Sequence, residues 1–545
     1  MALFHLPLMP GLSIIYRLRL VLAPAALALA GCSSPGTSGV VVPVWASDSA
    51  TVRVAAGPQY NRGAVWRFFF GTHYRALWAT PVTVPVLRLA TAVPGGLTPV
   101  QAGGSFQSRT LRLRTTAGHQ YVLRSVDKDM GAALPVRWRW LLGGLMKDQT
   151  CVSEPYGAYV AAVLAEAAGV YHANPRLVYL PADPALGKFR SAYANALYLL
   201  EERPEGNQQE GLTFGHAAAV VNSRHLLTML RQWPTHQVDG RAYLRARLLD
   251  MWLGDWSRRE DQWRWASFPQ AGRTGYRPIP RDRDQAFFLF DDGTVPTLAS
   301  WFIPKFQSFH GRLQKANVAG LAATARALDR TLLAGLSAED FRQEADSLRR
   351  RLTNAVIARA LARGPAQTRA PIAAQLESLL RERRAQLPAV ARWYYELLAA
   401  EAWLVGTEQA ERFVVGAAGP GRVRVRMLAI RLGVPDSLLA QRIYASSDTR
   451  QLDLFGLGGN DIFEISKDSA PNFYVNIYAG AGQNQVNWVD APAQTEILQP
   501  RNFTWYRGPE REARPPAANI NVRVDEHPEL SANAAGWLQR YMLRD

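Results

Sequence analysis

Cysteine is nearly missing from this sequence: 545 residues hold two, Cys32 and Cys151. That count excludes a disulfide framework and a thiolate zinc site. Lysine is scarce as well, and the net charge of +17 comes mostly from arginine. The arginines are scattered and often neighbour aspartate or glutamate, with no long basic run and no nucleic-acid motif. That pattern argues against a nucleic-acid partner. Beyond the first thirty-one residues no apolar run is long enough to cross a bilayer, so no transmembrane helix is expected in the mature chain. None of the nine histidines forms an HxxxH or HxH pair. His172, His216, His225 and His310 therefore read as core or surface residues.

What is present is an ordinary folding composition, 48% hydrophobic and 20% charged. The length calls for two or three domains. The N-terminus carries Arg17 and Arg19, then an apolar segment from Leu20 to Ala30. It ends in Leu29-Ala30-Gly31-Cys32, which resembles the bacterial lipobox. The resemblance implies cleavage before Cys32, lipid on its sulfur, and anchoring by several acyl chains. Ser33, where an aspartate would signal inner-membrane retention, implies the outer membrane. The expected partners are thus a membrane through Cys32 and an envelope protein.

The stretch richest in chemistry is Arg241–Phe290. Leu244, Leu248, Leu249, Met251, Trp252 and Leu253 recur at helical spacing and predict a helix with one buried face, ended by Gly254. Asp255, Arg258, Arg259, Glu260 and Asp261 follow in one polar loop. About twenty residues on, Asp282 and Asp284 alternate with Arg281 and Arg283. Acidic side chains at the ends of buried elements are costly unless paired or bound to a cation. Two such clusters mark a site; the plain alternative is an Arg–Asp network holding a core together.

Taken in order, residues 1–31 read as a signal peptide and 32–60 as a small, Pro/Gly-rich tether. Residues 61–310 form an α+β region. It opens with strand-like runs from Trp66 and includes a hairpin of Thr110–Leu113 with Tyr121–Arg124, turning at Thr116-Ala117-Gly118. A glycine pair, Gly103-Gly104-Ser105, precedes the hairpin. A helix over Pro155–Gly169 follows, then strands near Arg176 and Ala196, and helices at Ser223–Gln232 and beyond. Residues 311–402 are helical, rich in Ala, Leu and Arg. From 403 to 545 the period changes to two, which predicts an antiparallel β domain. Gly456–Asp461 and Gly480–Asn484 resemble GGxGxD calcium repeats, but two partial copies fall short of a solenoid and read as tight turns.

This order of glycine turn, hairpin, helix, linking strand, polar loop, hairpin and Asp cluster resembles an atypical protein-kinase-like fold of the Fam20, CotH and HipA kind. The phrases RSVDKD, LYLLEERP, RARLLDMWLGDW, EDQWRW, YRPIPRDRDQAF and LFGLGGNDIFE resemble a module of exported Bacteroidetes proteins, found elsewhere after a calcineurin-like phosphoesterase domain. The resemblance implies a two-lobed kinase-like α+β domain with a helical extension, followed by the β domain. It implies Gly103, Gly104 and Ser105 over nucleotide phosphates, where only a backbone without Cβ can approach closely. Arg124, or Lys128 in its place, would be the phosphate cation, with Glu166 as its helix partner. The strand Leu197–Glu202, Glu201 included, would link the lobes beside the adenine. Asp282 and Asp284 would hold Mg²⁺ or Mn²⁺ against ATP.

The catalytic loop departs from that pattern. Ser257-Arg258-Arg259 stands where such kinases carry Asp-Arg-His. Serine cannot act as the carboxylate base and arginine cannot accept a proton. Asp255 and Asp261 are the nearest substitutes. The expectation is therefore nucleotide and metal binding in an outer-membrane lipoprotein, as in a pseudokinase. The alternatives are a non-catalytic surface or assembly lipoprotein and, more remotely, phosphoester hydrolysis. The calcineurin-type metal motif itself is absent from the chain.

Overall fold

The computed structural model describes residues 50–103, 108–134, 136–210, 213–303, 305–468, 472–489 and 520–523. Cys32, Gly104 and Ser105 lie outside them.

A two-stranded ribbon of β1 (Thr51–Val54) and β2 (Val82–Pro85) brackets two short helices, α1 (Ala64–Phe70) and α2 (Arg75–Ala79). The first expected strand run, Val65–Trp78, is thus corrected to helices, while the runs after it do form strands. Trp66 packs on Phe70 one turn away, and Tyr74, Leu77 and Trp78 all turn into one core. Aromatic side chains favour strands only weakly, and burial on one helical face overrides that preference.

The N-terminal lobe is an antiparallel sheet of order β3-β4-β5-β7-β6. Its strands are β3 (Thr98–Gly103), β4 (Ser108–Arg114), β5 (Gln120–Lys128), β6 (Arg176–Leu180) and β7 (Ala196–Glu202). Alternation sorts its side chains. Leu111, Leu113, Leu123, Tyr198 and Leu200 fill one face, while Val126, Leu197 and Leu199 pack on Trp78 and Tyr156 behind the other. Between β5 and β6 run α3 (Val136–Asp148) and α4 (Gly157–Ala168). Gly169 caps α4 at φ 70°, a left-handed turn that suits glycine.

The second lobe begins with β8 (Ala219–Asn222), α5 (Ser223–Gln232), β9 (His236–Val238) and α6 (Gly240–Leu253). A hairpin, β10 (Trp263–Gln270) with β11 (Arg273–Pro280), completes a sheet of order β8-β10-β11-β9. Helix α6 is the centre of the largest core. Asp239 caps its start by accepting from the Ala242 amide, and Gly254 ends it at φ 71°. The expected single buried face is corrected here: every residue from Ala246 to Leu253 is buried. Helix α7 (Thr294–Ser300) packs on α1; the elements enclosing α6 are α4, β11 and the later helices α8 (Lys315–Ala322), α9 (Arg326–Leu332), α10 (Ala338–Arg351), α11 (Asn354–Ala362) and α12 (Ala366–Ala399), of which α8, α10 and α12 touch it directly. The helical region thus shares its core with the second lobe.

The C-terminal part alternates between two sheets. One holds β12 (Glu401–Val405), β16 (Gln451–Phe455), β18 (Tyr474–Tyr478) and β20 (Ile520–Arg523) in that order. The other has the order β15-β14-β13-β17-β19, from β13 (Glu411–Ala417), β14 (Arg422–Ala429), β15 (Ser437–Ala445), β17 (Ile462–Ser466) and β19 (Gln485–Val489). Only the β13–β14–β15 pairings are antiparallel; all the others in these sheets are parallel. The antiparallel expectation therefore holds for two hairpin pairings and is corrected for the rest. The chain winds as a coil, stepping from one sheet to the other at each turn.

The turns stack. Gly456–Asp461 and Gly480–Asn484 are tight turns, as their glycines predicted, and Gly406–Glu411 lies beside them as a further turn. The Glu411 amide donates to Asp461 Oδ1 at 2.9 Å and the Asp461 amide to Asn484 Oδ1 at 3.0 Å. A Cβ on Gly456 would fall 2.2 Å from Asp461 Oδ2, so the close approach needs glycine. The turn at Gly406 was hidden in the sequence because only its first position keeps a glycine.

Candidate functional site

Strand β5 carries Arg124 and Lys128 toward the second lobe, and the loop after β11 brings Asp282 and Asp284 to meet them. Arg124 pairs with Glu201 of β7 at 3.2 Å and with Asp282. Lys128 Nζ reaches Asp284 Oδ2 at 2.5 Å. Asp282 sits at φ 51°, a left-handed conformation uncommon outside glycine and best tolerated by Asn and Asp. The five side chains are neither buried outright nor free, from 9% exposed for Lys128 to 30% for Asp284.

Two small cavities, of about 40 and 30 Å³, lie among these groups. Arg124, Glu201 and Asp282 line both; Ser108, Lys128, Glu154 and Asp284 line the smaller one. Each has room for a few waters at most. Ligand pockets ordinarily measure roughly 300–1,000 Å³, so the cleft is closed by its own ion pairs. A larger cavity of about 400 Å³ lies between α5, β9 and the first coil of the β domain. Its wall of Leu227, Leu332, Leu404 and Met427 is apolar and holds none of the cluster.

Electrostatics separates the carboxylates. Burial alone would raise Asp284, yet Lys128, Arg124 and Arg258 hold it below the usual carboxylate range. It stays an anion, as a cation ligand must. Glu154, ahead of α4, has its carboxyl pushed up to about 8 by burial, with the Tyr156 amide opposing. It is a neutral acid at the floor of the same cavity. Sequence reasoning missed it, because an acid just before a helix reads as an ordinary N-terminal cap.

Asp255 has a different place. It is fully buried, accepts from the Ser257 amide and pairs with Arg258. Burial pushes its carboxyl up to about 7; Arg258 opposes this, while Asp250 and Asp284 add to it. Arg258 also reaches Asp250 at 3.0 Å, and Arg283 reaches the other oxygen of Asp250 at 3.2 Å. Asp261 pairs with Arg259 at 3.2 Å. Neither Asp255 nor Asp261 lines the two cavities.

Among the remaining expected residues, Glu166 faces solvent on α4, which corrects its pairing with Arg124. Glu201 takes that role from the linking strand. Gly103 ends β3 in register with Thr110, and Ser108 pairs with Lys128 across the sheet, so the β3–β4 connection leaves and re-enters beside the cluster.

No group of three or more His, Cys, Asp or Glu side chains among the described residues is arranged to hold a metal ion. Apart from Glu201, which pairs with Arg124 alone, the cluster offers two carboxylates, Asp282 and Asp284. That number suits Mg²⁺, which is usually held by one or two carboxylates, several waters and the phosphates of its substrate. Asp282 Oδ1 faces Arg124 and Asp284 Oδ2 faces Lys128, so a metal ion would take the place of both cations.

A β lobe with a linking strand, a helical lobe, and a polar loop and Asp hairpin between them make this a two-lobed kinase-like α+β fold. No family model and no curated protein matches the chain. Among solved structures it is similar to the Helicobacter pylori proinflammatory kinase CtkA, at 11% identity over 54% of this chain and 94% of that one, with a TM-score of 0.28. It is also similar to HipA from the Shewanella oneidensis MR-1 toxin–antitoxin complex with HipB and operator DNA. That match has 13% identity over 58% and 75% of the two chains and a TM-score of 0.25.

Proposed function

We propose that this protein is an outer-membrane-anchored lipoprotein, attached through Cys32, whose kinase-like cleft binds a nucleotide with a divalent cation without transferring its phosphoryl group. The reading rests on one observation: Arg124, Lys128, Asp282 and Asp284 converge between the lobes. Arg124 and Lys128 supply positive charge for phosphate oxygens. Asp282 and Asp284 supply the anionic oxygens a magnesium ion would need once phosphates draw the two cations away. The ion pairs are then a ligand-free state that a phosphate–metal pair replaces, charge for charge. Bound metal and nucleotide would supply phosphoryl chemistry, but the chain lacks its own part. Ser257 stands where a base belongs, and Asp255 is bound to Arg258.

Thermal unfolding with ATP, with and without Mg²⁺ or Mn²⁺, tests the binding. The expected result is stabilisation that needs the metal, about 2.7 kcal/mol at a hundred times Kd. No shift at millimolar ATP would sink the reading. Radiolabelled ATP should leave no label on the chain or on envelope proteins.

A second reading has an observation of its own. Cavities of about 40 and 30 Å³ hold no nucleotide as they stand. If the cleft never opens, the cluster is an interlobe clamp and the molecule is a non-catalytic assembly lipoprotein. Its sign would be a stoichiometric envelope partner retained by the Asp282→Ala variant.

A further inference from the structure

Helix α3 is an anomaly in the packing. Its sequence alternates cationic and aromatic residues from Arg137 to Trp140 and continues with Leu141 and Leu142, yet Trp138 is 46% exposed, Trp140 83% and Leu141 49%. Large apolar side chains grouped in the open mark a surface that something covers. The group does not stop at α3. Trp66 of α1 donates to Asp148, the last residue of α3, at 2.9 Å. Thr294 of α7 donates to the Phe68 carbonyl of α1 at 3.2 Å. These bonds tie the three helices together around α1. Phe68, Trp301 and Phe302 stand exposed there as well.

The charge on this face has one sign left over. Arg137 and Lys147 on α3 and Arg67 on α1 are exposed. Of the acids nearby, Asp148 is matched with Arg75 and Arg62, Asp292 with His73 and Asp291 with His310. Asp127, bonded to Tyr60, lies in the field of Lys147, and Asp129 is exposed, so cations outnumber the acids left over. Exposed Trp, Phe and Leu interleaved with an excess of cations are the composition of a helix lying in a lipid headgroup region. The rings sit at the acyl boundary and the cations meet phosphates.

We infer that the α1–α3–α7 face is a membrane-contact surface that lays this domain on an anionic phospholipid bilayer. The position of the anchor agrees. Ala50, where the described chain begins, follows Cys32 by 18 residues. A chain of that length spans at most about 60 Å, enough for the face to reach the bilayer holding its lipid. The orientation rests on the lipoprotein reading; the lipid affinity of the face does not, and nor does it depend on nucleotide binding.

The test uses residues 33–545, made without the leader because its apolar segment would itself bind lipid. The chain is sedimented with vesicles of phosphatidylcholine alone and of phosphatidylcholine with one third phosphatidylglycerol. The expected result is binding to the anionic vesicles with a blue shift of tryptophan emission, weakened by high salt. The Arg137→Gln/Lys147→Gln pair should lower the partition roughly fivefold per charge. The Trp138→Ser/Trp140→Ser pair should lower it about tenfold or more. Both pairs lie on exposed positions, so an unchanged thermal midpoint certifies the fold. No binding to anionic vesicles, equal binding to neutral ones, or a tryptophan pair variant that binds like the parent would each overturn the inference. The first of these would leave the face to a protein partner.

Discussion

Two arginine–aspartate clusters sit within one α lobe and its border, and they differ in their access to solvent. Around α6, Arg247, Asp250, Asp255, Arg258 and Asp329 are all fully buried. Arg247 Nε meets Asp329 at 3.0 Å, and Tyr243 donates to the same aspartate at 2.7 Å. None of the five lines either interlobe cavity. At the lobe boundary, Arg124, Lys128, Glu201, Asp282 and Asp284 keep part of their surface exposed and border cavities. A charge matched on all sides and sealed off from solvent holds a fold. A charge matched but reachable can exchange partners. The difference is access, and no residue type encodes it.

The largest effect that probes this contrast comes from the sealed cluster. Asp329→Ala leaves Arg247 buried with Asp250 at 3.5 Å as its remaining carboxylate, so it should cost about 3–5 kcal/mol, read as a shift of the urea midpoint. A shift under about 1 kcal/mol would mean that water reaches the cluster and that the contrast is false. Next comes Asp284→Ala. It should abolish the metal-dependent stabilisation by ATP, about 2.7 kcal/mol at a hundred times Kd, while the ligand-free protein stays folded. A large loss of ligand-free stability would assign the cleft cluster to the structural class instead.

A third prediction concerns pH and the β domain. Burial pushes Asp461 up to about 8, and Glu411 up to about 7 against its bonds from Thr407. Carboxyls raised on folding bind more protons in the folded state. Their contribution is fully present below about pH 4 and lost as pH climbs through 7 to 8. The thermal midpoint should therefore fall toward pH 9, and Asp461→Asn should flatten that fall by about 4 °C. Asn484 already shows that the amide suits this turn position, since its Nδ2 donates to the Ala479 carbonyl at 3.2 Å. An identical pH profile in Asp461→Asn would dismiss the stacked carboxyls as the cause. The smallest effect belongs to Glu166→Gln. On the solvent face of α4 it should change neither stability nor the ATP response, and a lost response would restore it to the site.

Much of the fold was legible in the sequence. The hairpin of β4 and β5, the helix ended by Gly254, the linking strand and the switch to period two near 403 all follow from local pattern. Other features were not. The segment from Trp66 looked like strand because its aromatic residues suit either structure; only the core beneath α1 and α2 selects the helix. The β domain looked antiparallel because a period of two records which face a side chain takes and not which strand lies beside it. Parallel neighbours here are separated by whole turns of coil, and the pairing of Arg412 with Ile462 spans an inserted hairpin.

The site was legible in half. Asp282 and Asp284 were marked by the cost of placing acids beside a buried hairpin, and Arg124 and Lys128 by the kinase-like resemblance. Asp255 carried the same local signal and proved sealed. Glu154 carried none and lies on the cavity. By itself, the sequence determined which segments bury apolar surface, where the chain turns, and that its acids must find cations. Tertiary structure alone decided which cation each acid found and whether solvent could reach the pair. Charge pairing inside a protein depends on distance and burial, and both are set by elements far apart in the chain.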